Sequence, residues 1–378
     1  MASQEIDTIE RSAVKNLQVQ GPIKITDCKQ LASYSWWDTP NPTISVPGSP
    51  RRYSPPEFPF TVELDPGTQY CDVNAARHPS SPLEPLFRAL YILNPDFSLS
   101  DVDLITDRED LHKLLRFAAG SSMSPFTIRV QVVSHAEGQK GTVFFTRVEL
   151  DNDRVPDEES YTREYEKKCT IKPLDSMAEY HRIIGYTFGG LKCIVRSETS
   201  GYVAGEEGTG AWSLSDSMET TTTGLTILRP STNQADADVS SALEIITRKS
   251  AQCLYFRRKV YPEMWFSQTS KLAVGYHNDN VFHSGGLRDE SGQLSQWEAD
   301  NQQSLARLVG LLKWIIDAAR KAKGGRAKIK SNGKKSLSIL AQPALPEDLH
   351  AKWRNKQPQP GEARVEDDER GLELKTPA

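Results

Sequence analysis

Cysteine is sparse in this sequence. Five residues, Cys28, Cys71, Cys169, Cys193 and Cys253, lie far apart and none forms a CxxC pair. An odd, scattered set argues against a disulfide framework and for reduced thiols, hence a cytosolic or nuclear setting. Long apolar runs are missing too. The most apolar stretch, Leu305 to Ile316, is interrupted by Arg307 and Lys313 and is too short to span a bilayer. Met1 to Lys15 alternates acids, bases and hydroxyls without an apolar h-region, so no secretory signal is expected. Charge is nearly balanced at −4, so nucleic acid would have to be gripped by a local patch rather than by the chain as a whole. Common catalytic signatures are also lacking. There is no GxSxG elbow and no GxGxxG fingerprint, and the Gly-, Ser- and Glu-rich stretch 201–218 lacks the GK[ST] ending of a P-loop. The seven histidines contain no helical i, i+4 pair, and His277 and His283 flank a loop. The two DDxxD clusters of an isoprenoid synthase are absent: Asp367-Asp368-Glu369 lies near the C-terminus and Asp107-Arg108-Glu109-Asp110 is incomplete.

What remains fits a globular α+β protein. Hydrophobic residues make up 37% and charged residues 25% of 378 positions, compatible with one large core carrying decorations. Residues 1–35 read as a polar arm. Residues 36–66, rich in proline, read as an extended strap pinned by Trp36, Trp37, Tyr53, Phe58 and Phe60. A ligand for a proline-binding module is the other reading of that segment, but aromatics this dense ask for burial. Pro82 to Leu93 and Arg108 to Phe117 carry helical apolar spacing. Phe126, Ile128, Val130 and Val132 then alternate with polar residues, and Gly141 to Glu149 returns as a hairpin partner. An acidic loop spans 151–159. Ile183 to Arg196 reads as strand broken at Gly189 and Gly190, 201–222 as a mobile loop, and 224–228 and 242–247 as buried strands. A helix around 256–268 should start or kink at Pro262, and Lys271 to His277 is strand. Residues 290–323 read as one long helix ended by Gly324-Gly325, followed by weak strands at 327–329 and 336–340. Residues 351–378 read as a disordered tail beyond a domain spanning 36–350.

The chemistry-bearing signal is a series of acids: Glu166 in YTREYEK, Glu198 in IVRSETSGY and Glu244 in ALEIITR. Singly, each is an ordinary glutamate on a solvated strand end. Glu244 is the exception, because Leu243, Ile245 and Ile246 enclose it and burying a lone carboxylate is costly. Carboxylates projected from neighbouring strands into one cleft can hold a hard divalent cation and activate water against a phosphodiester.

In order and spacing these segments resemble the DXO/Rai-type decapping nuclease family, over roughly residues 100–280. Ile105-Thr106-Asp107-Arg108 before Lys113-Leu114-Leu115 is similar to that family's arginine segment, and Gly141-Thr142-Val143-Phe144-Phe145 to its GTIF-like strand. Tyr165-Glu166 matches an aromatic-Glu motif, Glu198-Thr199-Ser200 stands at its Glu-x-Asp, and Glu244-Ile245-Ile246-Thr247 at its Glu-Leu-Lys-Thr. Trp265 to Tyr276, with Gln268, resembles the closing helix and strand. The chain also resembles fungal proteins sharing NAARHPSSPLEPLFRAL and WFSQTSKL, some labelled geranylgeranyl diphosphate synthase. The missing aspartate clusters argue against that label.

The resemblance implies a PD-(D/E)XK nuclease-like core, with a central mixed or antiparallel sheet flanked by helices. It implies Mg²⁺ or Mn²⁺ and an RNA 5′ end as substrate, in nucleus or cytoplasm. Arg108 would contact phosphate, Glu166, Glu198 and Glu244 would hold metal directly or through water, and Gln268 would position substrate or a ligand. Two positions depart from the pattern. Ser200 stands where a metal-binding Asp is expected, and Ile246 where a Lys would orient water and offset charge. Losing such a group costs on the order of 100- to 10,000-fold in rate. Arg248 shares the face of Glu244 and Ile246, but sits roughly 7 Å along the strand. Three functions follow: a metal-dependent RNA 5′-end hydrolase, a non-catalytic RNA- or protein-binding relative, and an unrelated role reusing the fold. Arg320, Lys321, Lys323, Arg326, Lys328, Lys330, Lys334 and Lys335 could grip phosphates or simply solubilise a helix end.

Overall fold

The computed structural model describes residues 4–65, 69–121, 123–135, 140–149, 153–154, 160–204, 213–230, 241–249, 256–333 and 335–343. The acidic loop at 151–159 falls almost wholly outside this set, and the tail at 351–378 entirely so. Among the described residues, no helix is long and apolar enough to cross a membrane.

The protein is α+β, with two large sheets where the sequence suggested one. A twelve-stranded mixed sheet has at its centre, in spatial order, Phe126–Val133, Thr142–Val148, Leu104–Asp107, Leu191–Glu198, Met177–Phe188 and Ile25–Trp37. A seven-stranded sheet is built around Ala242–Lys249, Lys271–Asn278 and Val281–Asp289. The alternating pattern at 126–132 does form a strand, paired antiparallel with Thr142–Val148. Gly189 and Gly190, both at positive φ, turn the next segment into the hairpin Met177–Phe188 and Leu191–Glu198.

The helices cover the large sheet. Glu84–Leu93 buries Leu86, Phe87 and Leu90, and Arg108–Ala118 buries Leu111, Leu114 and Leu115. The expected long helix is two: Ser291–Asp300 and Gln302–Lys321. Asn301 breaks it, since its backbone leaves the helical region and its side-chain Nδ2 donates to the Trp297 carbonyl at 2.8 Å. The second of the pair lays Leu305, Leu308, Leu312, Ile315 and Ile316 into the main core. Pro262 stands in the first turn of Tyr261–Ser267 and so sets that helix's start.

The first 35 residues are not an arm. Glu5–Glu10 pairs with Ser336–Ala341 at the edge of the large sheet, and Ile25–Trp37 is a thirteen-residue strand inside it. Between them Arg11–Leu17 lies so close to the long helix that a Cβ on Gly310 would meet the Leu17 carbonyl at 1.8 Å. The proline-rich segment runs from one sheet to the other: Thr43–Ser45 joins the large sheet, while Arg52–Tyr53 and Phe60–Thr61 join the small one. The stretch expected to be a mobile loop is strand at both described ends, Gly201–Tyr202 and Leu214–Thr220, the latter paired with Thr226–Pro230. Apolar spacing could not foresee these pairings, because a period of two marks a strand's buried face and not the strand that will pair with it.

Candidate active-site cleft

The acids are gathered where the chain passes between the two sheets. Leu191–Glu198 ends in the large sheet, and three residues later Gly201–Tyr202 pairs antiparallel with Leu243 and Ala242 of the small sheet. This crossing brings Glu198 and Glu244 to one junction. Parallel to Leu191–Glu198 runs Leu104–Asp107, which leads directly into the helix Arg108–Ala118, so Arg108 occupies the first helical position at the same junction. Glu166 arrives on a separate helix, Thr162–Cys169. Tyr165 pins that helix: its ring stacks on Phe282 at 4.4 Å and fills the space over Gly275 and Gly285.

Arg108 is the hub. Its Nη1 pairs with Glu244 Oε1, and its Nε donates to Glu109 Oε1 at 3.0 Å. Burial works against the guanidinium's charge, but Glu244, Glu109 and Glu263 together hold its pKa far above the ordinary value. One cation serving several acids leaves them unevenly compensated. Glu109 is drawn down to about 2, Arg108 and Arg147 overcoming its burial. Glu244 is raised, because burial, with Glu263 and Glu109 nearby, outweighs Arg108. Glu166 is raised to about 7, chiefly by burial, with Glu244 and Glu179 adding to it and Arg51 and Arg163 opposing. Glu198 is raised to about 8 by burial of its carboxylate and by Glu179 and Glu166. The Glu198 residue keeps an open face at the cleft mouth, where solvent moderates that shift.

Glu166 and Glu244 approach the cleft from different faces of the small sheet. Tyr165 packs with Leu243 and Ile245, whereas Ile246, on the Glu244 face, packs near Val260, Met264, Leu272 and Val274. The two carboxylates influence each other electrostatically around the strand end, but Glu166 is turned toward Arg51 Nε at 3.9 Å. Among the described residues, no hydrogen bond or ion pair joins Gln268 to the acids. It caps its own helix in the left-handed conformation, and its Nε2 donates to the Trp265 carbonyl at 2.6 Å. Ser200 Oγ accepts the Ile245 N–H at 3.2 Å, so it serves the backbone of the neighbouring strand. The Arg248 guanidinium donates to its neighbour's carbonyl, Thr247 O, at 2.7 Å.

Beside Glu198 lies a polar cavity of about 160 Å³, lined among others by Asp107, Glu109, Arg147, His181 and Arg196. Arg196 forks onto Asp107 at 2.6 and 2.9 Å. His181 stacks on Tyr34, and burial and Arg196 push it down to about 3, so the imidazole is neutral. The sequence pattern missed Glu109, Glu179, Glu263, Arg51 and Arg163 as neighbours of the acids. An exposed-looking charge next to a helix start was the available signal only for Glu109.

The donors do not fit a divalent cation in the arrangement the resemblance implies. Among the described residues no three His, Cys, Asp or Glu side chains converge closely enough to hold one. Arg108 takes the Glu244 carboxylate, and serine and isoleucine stand at the two departing positions.

Sheets, junction and helices together define the fold, and it is the one seen in solved structures of Rai1 and Dxo1. The chain is similar to Rai1 of S. pombe in complex with 3′-FADP, at 10% identity and a TM-score of 0.59, covering 89% of this chain and 99% of that one. It is similar to Candida albicans Rai1 in complex with pU5 and Mn²⁺ (12%, TM-score 0.55, 93% and 98%) and to K. lactis Dxo1 in complex with manganese (11%, TM-score 0.56, 90% and 100%). Identities this low establish the fold alone. No curated protein matches the sequence. The chain itself belongs to the family defined by a domain of unknown function, DUF8563, which it matches over residues 4–352.

Proposed function

We propose that the cleft binds the phosphorylated 5′ end of RNA, and that divalent-metal-dependent hydrolysis there is weak or lost. The observation carrying this reading is the pairing of Arg108 with Glu244 at the sheet junction, where Glu198 feels the Arg108 charge and Glu166 that of Glu244. Supporting it, Rai1 relatives of this fold are bound to pU5 with Mn²⁺ and to 3′-FADP. Arg108, Arg51 and Arg163 offer positive charge to phosphate. Burial raises the pKa of the carboxyl groups of both Glu166 and Glu198, which in their protonated forms can donate to phosphate oxygens instead of repelling them. Such a role belongs in nucleus or cytoplasm, where RNA 5′ ends are exposed. Ser200 and Ile246 argue for reduced turnover, and a purely binding role, toward RNA or a protein, is the alternative that follows from them.

The test is turnover of triphosphate-ended RNA with Mn²⁺. The wild type should bind it, more tightly at pH 6 than at pH 8.5, with little or no hydrolysis. Ser200→Asp combined with Ile246→Lys should raise hydrolysis on the order of 100-fold, in a manner abolished by Glu244→Gln. Asp at 200 can still accept the Ile245 N–H, and a lysine stem can lie along Met264 and Leu272. Efficient hydrolysis by the wild type would overturn the weakened site, and absence of any 5′-end binding would overturn the RNA reading.

A further inference from the structure

Far from the cleft, at the other end of the helix Arg108–Ala118, a groove of about 520 Å³ gathers four cations from remote parts of the sequence: Arg11, Lys15, Arg307 and Lys335. Glu10 is the one acid lining it. Lys15 and Lys335 are exposed, and Arg11 and Arg307 are half-buried. Arg11 is held in place: its Nη2 donates to the Gly333 carbonyl at 2.9 Å and its guanidinium lies over the Phe117 ring at 5.0 Å. Among the described residues, the buried Nε atoms of Arg11 and Arg307 have no hydrogen-bond partner. The guanidinium of Arg11, fixed in place, and the exposed ammonium groups of Lys15 and Lys335 set several positive charges against one carboxylate, an excess suited to phosphate oxygens. The lining offers Ser12, Ala118 and Gly120 but no aromatic side chain, so it can grip a backbone and cannot stack a base.

We propose that this groove binds the phosphate chain of single-stranded RNA, remote from the 5′ end. The inference rests on the RNA reading of the cleft and extends it. The connecting helix has 11 residues, which places the groove about 16 Å from Arg108. A strand whose first phosphate lies at Arg108 therefore reaches the groove only several nucleotides downstream. Binding there is independent of sequence and sensitive to salt, because each neutralised phosphate releases a counterion. Among the described residues of the basic run at 320–335, Lys335 alone lines the groove. Arg320 instead donates to the Gly141 carbonyl at 2.9 and 3.0 Å.

The experiment uses the full chain and two 3′-labelled probes, a 5′-phosphorylated dodecauridylate and a 5′-phosphorylated diuridylate, in fluorescence anisotropy across a salt series. Lys15→Gln/Lys335→Gln should weaken dodecamer binding on the order of tenfold and flatten its log–log salt slope by about 1.4, or about 0.7 per lost phosphate contact. Dimer binding should not change. Glu10→Gln, which removes the groove's acid, should tighten dodecamer binding. An unchanged slope and affinity in the lysine variant overturn the groove, whether or not the dimer binds. If the lysine variant instead loses affinity for an acidic peptide such as a labelled hexaglutamate while RNA binding is unchanged, the surface belongs to a protein partner and the proposal is overturned. The cleft reading fails separately, through a dimer that does not bind or whose binding ignores Arg108→Met.

Discussion

Arg108 contacts Glu109 and Glu244 and feels Glu263, so one positive charge is shared among three acids of the cleft's inner wall. Removing it strands buried carboxylates. Arg108→Met should lower stability by about 3 kcal/mol in urea denaturation. Adding Glu244→Leu should recover most of that loss; a double variant no better than the single would show that Arg108 acts otherwise. Glu166 gives a pH signature. Its folded pKa of about 7 lies above its ordinary 4.5. The folded state thus binds the proton more tightly, and the stability this confers is complete below pH 4.5 and lost as pH rises through 7. The shift corresponds to about 3 kcal/mol as an upper figure. The melting temperature should therefore fall between pH 5 and pH 8, and Glu166→Gln should fall less. Parallel curves for the two proteins would mean that Glu166 is ionised throughout.

At the scale of elements, the helix Thr162–Cys169 is held chiefly by the ring of Tyr165, which stacks on Phe282 and Phe60. A Cβ on Gly275 would stand 2.4 Å from the Tyr165 ring, and the strand Lys271–Asn278 beneath has no room to retreat, since Ala242–Lys249 and Val281–Asp289 flank it. Gly275→Ala should cost about 2 kcal/mol by overpacking. It should also shift Glu166, so its effect on 5′-end binding should exceed that of a substitution at least as destabilising, such as Ile339→Ala on the far sheet. Equal binding in the two variants would detach the helix position from function. The Thr162 hydroxyl, 2.8 Å from that of Thr247, is a second tie between this helix and the small sheet.

For the whole molecule, the N-terminal residues and the C-terminal strands close the large sheet together. Ile9 and Val14 are buried, and Arg11 N–H donates to the Lys335 carbonyl at 2.7 Å. Deleting residues 1–20 should lower stability on the order of 5 kcal/mol, the loss of two or three core side chains and an edge pairing. A truncated chain with an unchanged denaturation midpoint would restore the view of this segment as an arm. The same deletion removes Arg11 and Lys15, so groove measurements need the intact chain.

Local spacing carried much of this structure. The helices at 84–93 and 108–118 and the hairpin at 126–148 could be read because each has a clean period of its own side chains. The enclosure of Glu244 by apolar neighbours was legible too, since Leu243 and Ile245 are buried on either side of it. What sequence could not decide depended on contacts between distant segments: that the first 35 residues complete a sheet, that the acids sit where two sheets exchange a strand, and that Arg51 takes Glu166 while Arg108 takes Glu244. Periodicity records which face of an element is apolar. It does not record which other element covers that face, or which of several nearby charges a carboxylate will choose, and those were settled only by tertiary packing.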